Sequence, residues 1–217
     1  MERADNLRIG ASPLPLAEPI GLVRRARALA WLGIGWHVVE FGIAIGAGIA
    51  SSSIALIGFG ADSLVESLAG LVVIWRFGRR RVQLEGAERR AQQLVAACFF
   101  VLAAYVGAEA IHTLVVRAHP QASWIGIGLA AFTAPTMPLL AAAKRRVGNR
   151  LGSPATVQEG VQNMVCAYLS VALLVGLLAN AAAGWWWADP VAALVIAGAA
   201  VKEGRASWRG EGCCDAC

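Results

Sequence analysis

The sequence predicts an all-α, polytopic membrane protein: a six-transmembrane-helix bundle with both termini cytoplasmic. Three observations carry that prediction: a composition too apolar for water, six apolar runs of spanning length, and basic residues confined almost wholly to alternate connections. Of 217 residues, 58% are hydrophobic and 15% charged, where a soluble domain carries about 25% charged residues. A net charge of +5 would suit nucleic acid if it formed one basic face. Here the charge is dispersed in short clusters between apolar runs, which is a topology signal, so no nucleic-acid partner is expected. Nucleotide-binding loops, nucleophile elbows and zincin motifs are absent, and the chain reads as a non-enzyme.

A spanning helix needs about 20 mostly apolar residues. The runs fall near residues 29–50, 54–75, 92–116, 124–143, 157–181 and 187–204. Only Ser51-Ser52-Ser53 separates the first two, and Gly184-Trp185-Trp186-Trp187 the last two, so both pairs read as tight hairpins. Trp75, Trp124 and Trp185 to Trp187 fall at interface depth. Three domains follow: a cytoplasmic segment over 1–25, the membrane domain over 26–205, and a Cys-rich cytoplasmic tail over 206–217. The first 20 residues hold three prolines and no apolar core, which excludes a cleavable signal peptide.

Charge orients the set. Arginines 3, 8, 24, 25 and 27 precede the first helix, and arginines 76, 79, 80, 81, 89 and 90 follow the second. Lys144, Arg145, Arg146 and Arg150 follow the fourth as a loop, and Lys202, Arg205 and Arg209 follow the sixth. That is 18 of 19 basic residues on one side, with Arg117 alone on the other. The positive-inside rule makes the rich side cytoplasmic and the chain a multi-pass protein of the cell membrane, its clusters touching anionic lipid headgroups.

Polar residues at membrane depth point to function, because an ionisable group there costs about 2.5–3.5 kcal/mol on insertion scales. Helix 1 carries His37 and Glu40, helix 2 Asp62 and Glu66, helix 3 Glu109 and His112, and helix 5 Glu159, Gln162 and Cys166. No basic residue shares their depth, so the acids are expected to hold a proton or a metal ion. Asp62 and Glu66, four apart, project from one helix face. They lie about 12 and 18 Å below the outer boundary, and Cys166 about 16 Å below it in a core about 30 Å thick. Asp62, Glu66 and Cys166 are therefore the expected metal ligands, with Gln162 and Glu159 as supporting groups. Glu40 reads as a proton carrier or supporting group, and His37 as a structural or gating residue. Glu109 and His112 read as a solvated mouth, and Cys98 as a small packing residue. A thiol among carboxylates tilts selectivity toward zinc or cadmium. Cys213, Cys214 and Cys217 in the tail read as a metal-capturing cluster, and no prosthetic group is expected.

These residues resemble the cation diffusion facilitator family. Asp62-Ser63-Leu64-Val65-Glu66 looks like its Asp-Ser-Leu-x-Asp metal motif, with Glu66 for the second aspartate. Glu159-x-x-Gln162-x-x-x-Cys166 is similar to its Asp-x-x-His-x-x-x-Asp segment, and Asp189-Pro190 also matches. Gln162 stands where the family has histidine, and Cys166 where it has aspartate. The resemblance covers about residues 25–205 and implies a short form without the family's cytoplasmic metal-binding domain, dimerising through its membrane helices. It implies export of a divalent metal by alternating access, driven by counter-moving protons. The rival expectation is a non-transporting membrane metal receptor or assembly partner.

Overall fold

The computed structural model describes residues 20–78 and 85–209. They form six helices: α1 (Ile20–Ser51), α2 (Ile54–Gly78), α3 (Glu85–Val116), α4 (Trp124–Leu151), α5 (Pro154–Ala183) and α6 (Ala188–Arg209). By length and composition, α1, α3, α4 and α5 can each cross a membrane. Among the described residues α2 packs against α1, α3, α5 and α6, which makes it the centre of the bundle.

The helices outrun the apolar segments that announce them. Hydrophobicity marks the part in hydrocarbon, whereas helical hydrogen bonding continues until something stops it. α4 continues past residue 143 to Leu151, where Gly152 adopts a left-handed conformation (φ 60°) and returns its N–H to the helix end. Ser153 then caps α5, with Pro154 in its first turn. The expected loop after helix 4 is thus a two-residue turn. Lys144, Arg145, Arg146 and Arg150 ride on the last turns of α4, and Lys144 points into the bundle.

Three connections gather at one end. The Gln121 N–H donates to the Ser51 carbonyl (2.9 Å), and Asn180 Nδ2 donates to the Pro120 carbonyl (2.9 Å). The His119 and Trp186 rings lie 5.3 Å apart, beside stacked Trp185 and Trp187. The α4–α5 turn lies at the opposite end, with the start of α1 and the close of α6. This is an up–down bundle, and the positive-inside rule makes the Arg117 end the outer one.

One buried carboxylate locks the outer end. Asp189 accepts from Ser53 Oγ and from the N–H groups of Ile54 (3.1 Å) and Ala55 (3.4 Å). It caps α2 from α6, placing negative charge at the positive end of the helix dipole. Elsewhere the helices close on bare backbone. A Cβ at Gly160 would lie 2.9 Å from the Ala141 carbonyl oxygen and 2.6 Å from Arg145 Cγ, so α4 and α5 approach more closely there than a side chain permits.

Asp189→Ala should destabilise the protein by about 1–3 kcal/mol, since it orphans buried donors. Asp189→Asn, which keeps one acceptor, should lose less. Thermal unfolding in detergent measures both, and equal midpoints for Asp189→Ala and the parent would refute the latch.

Candidate metal centre

Glu40 organises the middle of the bundle. It is fully buried on α1, where a carboxylate finds no water to answer it. Thr133 Oγ1 of α4 donates to one oxygen (2.7 Å) and Ser63 Oγ of α2 to the other (2.9 Å). The second oxygen also meets His37 Nδ1, one turn away on α1 (3.2 Å), and the Cys166 thiol of α5 (3.9 Å). One side chain thereby collects polar neighbours from four helices.

Beside it lies a set of possible ligands. His37 Nδ1 is 3.2 Å from Glu66 Oε2, an oxygen that is buried and has no hydrogen-bonded partner among the described residues. One donor atom each from His37, Glu66 and Cys166 falls within 4.8 Å of the others. Tetrahedral zinc, with bonds of about 2.0–2.3 Å, spaces its donors roughly 3.3–3.8 Å apart. Gathering the three on an ion takes shifts on the order of an ångström, well within side-chain adjustment. Imidazole, carboxylate and thiolate together suit zinc or a softer ion, and three protein ligands leave a position open.

This grouping differs from the expected one. Glu66 and Cys166 meet as their depths indicated, but the third donor is His37, the residue assigned a structural or gating part. Asp62 is buried one turn outward on α2 and does not join the close set. Four residues along a helix share a face, yet they differ in height by about 6 Å, and Cys166 sits level with Glu66. His37 could have been found: it lies three residues before Glu40 on one face and supplies the imidazole that Gln162 does not. Gln162 itself is half-buried and lines a cavity shared with His37 and Glu66.

Glu159 is not a lone acid. Lys144 Nζ lies 3.1 Å from its Oε2 and donates to Asn163 Oδ1 (3.0 Å), while Asn163 Nδ2 reaches Met137 Sδ (3.1 Å). With Lys144 4% and Glu159 6% exposed, both charges are inside the protein. The expectation that no cation shares the acids' depth is therefore corrected. The missed signal was periodic: Thr133, Met137, Ala141, Lys144 and Gly148 recur at helical spacing and form one buried stripe of α4. Glu109 and His112 lie away from the centre on α3, the first half-buried and the second exposed. Cys98 is likewise exposed there rather than packed. Cys213, Cys214 and Cys217 lie outside the described residues.

A sequence model of the cation efflux transmembrane domain matches residues 30–209. An uncharacterized transporter of Synechocystis is 27% identical over 181 residues, which cover 80% of this chain and 58% of that protein. Transmembrane protein 163 of Xenopus laevis is 23% identical over 152 residues, covering 70% of this chain and 54% of that protein. The chain thus spans somewhat over half the length of the curated relatives it matches.

The buried ion pair makes its own prediction. Lys144→Met should destabilise by about 3–5 kcal/mol, because it leaves the Glu159 charge buried and uncompensated. Lys144→Met/Glu159→Gln should recover most of that loss. Unfolding midpoints of the two variants decide it, and a double variant no better than the single one would count against the pairing.

Proposed function

The chain belongs to the cation efflux family, and from that premise we propose that it exports a divalent transition metal from the cytoplasm in exchange for protons. The observation that carries this reading is the meeting of imidazole, carboxylate and thiol donors from α1, α2 and α5 within 4.8 Å in the bundle interior. Zinc is the favoured substrate and cadmium the next. Thiolate and imidazole prefer these ions to magnesium or calcium.

In this proposal Glu66, Cys166 and His37 bind the ion. Asp62, one turn nearer the outer face, receives it on the way out, and Gln162 lines the inner approach. Glu40 holds His37 in place and serves as a proton carrier beside the ion. Each ligand must shed or lack a proton to bind metal, so loading from the cytoplasm releases protons and reprotonation from outside expels the ion. The same chemistry that binds the substrate thus couples it. The tail cysteines Cys213, Cys214 and Cys217 are proposed to deliver soft ions to the inner mouth. A homodimer through the membrane helices, in the cell membrane, completes the proposal.

Zinc uptake into proteoliposomes should drive protons the opposite way and should fail in Glu66→Gln. Apparent metal affinity should rise with pH, because protons compete for the same atoms. Glu40→Gln should weaken binding by about 10–100-fold, the usual effect of losing the group that orients a histidine ligand. Cys166→Ser should favour manganese relative to cadmium. Saturable zinc binding without zinc movement would replace transport with a receptor role, and unchanged flux in Glu66→Gln would remove the site.

A further inference from the structure

Lys144 has no part in the scheme above, although it is the only lysine or arginine buried among the described residues. Its ammonium reaches across from α4 toward α1. A Cβ at Gly33 would lie 2.7 Å from Nζ, so the bare backbone there makes room for the charge. Gly33 is one turn, about 6 Å, to the cytoplasmic side of His37. On α5, Glu159 likewise lies seven residues, about 10 Å, to the cytoplasmic side of Cys166. The cavity that has His37 and Glu66 in its wall is also lined by Gly33, Lys144, Glu159 and Gln162. An ion approaching from the cytoplasm therefore meets the lysine before the donor set. Glu159 gives only one oxygen to that lysine; Oε1 is buried with no hydrogen-bonded partner among the described residues.

We propose that Lys144 is a tethered cation that closes the cytoplasmic approach to the metal centre, holding Glu159 until a divalent ion takes that carboxylate over. The inference rests on the transport reading and adds a specificity residue to it. A monovalent ion brings Glu159 the same charge the lysine already supplies, so exchange gains nothing. A divalent ion brings twice the charge, and attraction scales with charge at a given distance. It finds a waiting oxygen at Glu159 Oε1 and a carbonyl at Asn163 Oδ1. The displaced ammonium sits on a flexible four-carbon stem near the inner end of α4, from which it can extend to the headgroup region. Lys144 then admits ions by charge, and the His37–Glu66–Cys166 set sorts them by softness.

The test reads Cys166 accessibility and needs no transport. In protein with Cys98 and the tail cysteines replaced by serine, a small membrane-impermeant methanethiosulfonate is applied to the cytoplasmic face of inverted vesicles. Labelling of Cys166 should be slow with the native pair and with Lys144→Arg. It should be tenfold faster or more in Lys144→Met/Glu159→Gln. In the charge-swapped Lys144→Glu/Glu159→Lys it should be slow again. A neutral pair that runs monodisperse yet labels at the native rate overturns the proposal, as does a swapped pair that labels as fast as the neutral one. Cadmium added before the reagent reports on the metal centre separately. Protection of Cys166 supports the ligand set. Failure to protect in any variant removes the transport reading and the displacement step, while the rate comparison still decides whether the pair closes the path.

Discussion

A carboxylate in hydrocarbon must have its lone pairs answered by protein, and Glu40 meets that demand with Thr133, Ser63, His37 and Cys166. The constraint fixes more than one side chain. Each partner arrives on a particular helix, so satisfying Glu40 sets the register of α1, α2, α4 and α5 against one another at a single level. Glu66 and His37 are held within 3.2 Å as a consequence. An unanswered Glu66 oxygen then remains beside an imidazole and a thiol. The candidate centre is what is left over once Glu40 has been satisfied.

Two other buried charges are handled differently. Asp189 is satisfied by backbone N–H groups at the start of α2, where the helix dipole favours it. That contact orders the outer end. Glu159 is paired through one oxygen with a full opposite charge, the costlier arrangement, because two ions must leave water together. A purely structural role would be served as well by two apolar residues. The retained pair lies in the wall of the cavity that His37 and Glu66 also line.

Much of this was legible in the sequence. Six spans, tight turns at Ser51–Ser53 and Gly184–Trp187, and a common end for three connections follow from apolar run length and basic asymmetry. Glu66 and Cys166 were brought together correctly by counting depth from the outer boundary. What escaped depended on helical phase and on where helices stop. Lys144 was assigned to a loop because hydropathy falls after residue 143, yet α4 continues for two more turns and carries it inward. The neighbour of His37 is presented by another helix, since Glu66 is on α2, and the sequence of α1 alone does not carry that contact. Asp62 shares a face with Glu66 but not a height, and so it stands one turn outside the close set.

The glycine contact between α4 and α5 has a consequence for where the sulfur sits. With Gly160 against Ala141, the two helices meet backbone to backbone and leave no room for a side chain between them. Gly176 of α5 meets α6 in the same way, where a Cβ would lie 3.0 Å from the Ala188 carbonyl oxygen. Cys166 stands on α5 between these two glycines, so the thiol is placed by main-chain contacts on either side that a larger residue at either glycine would spread.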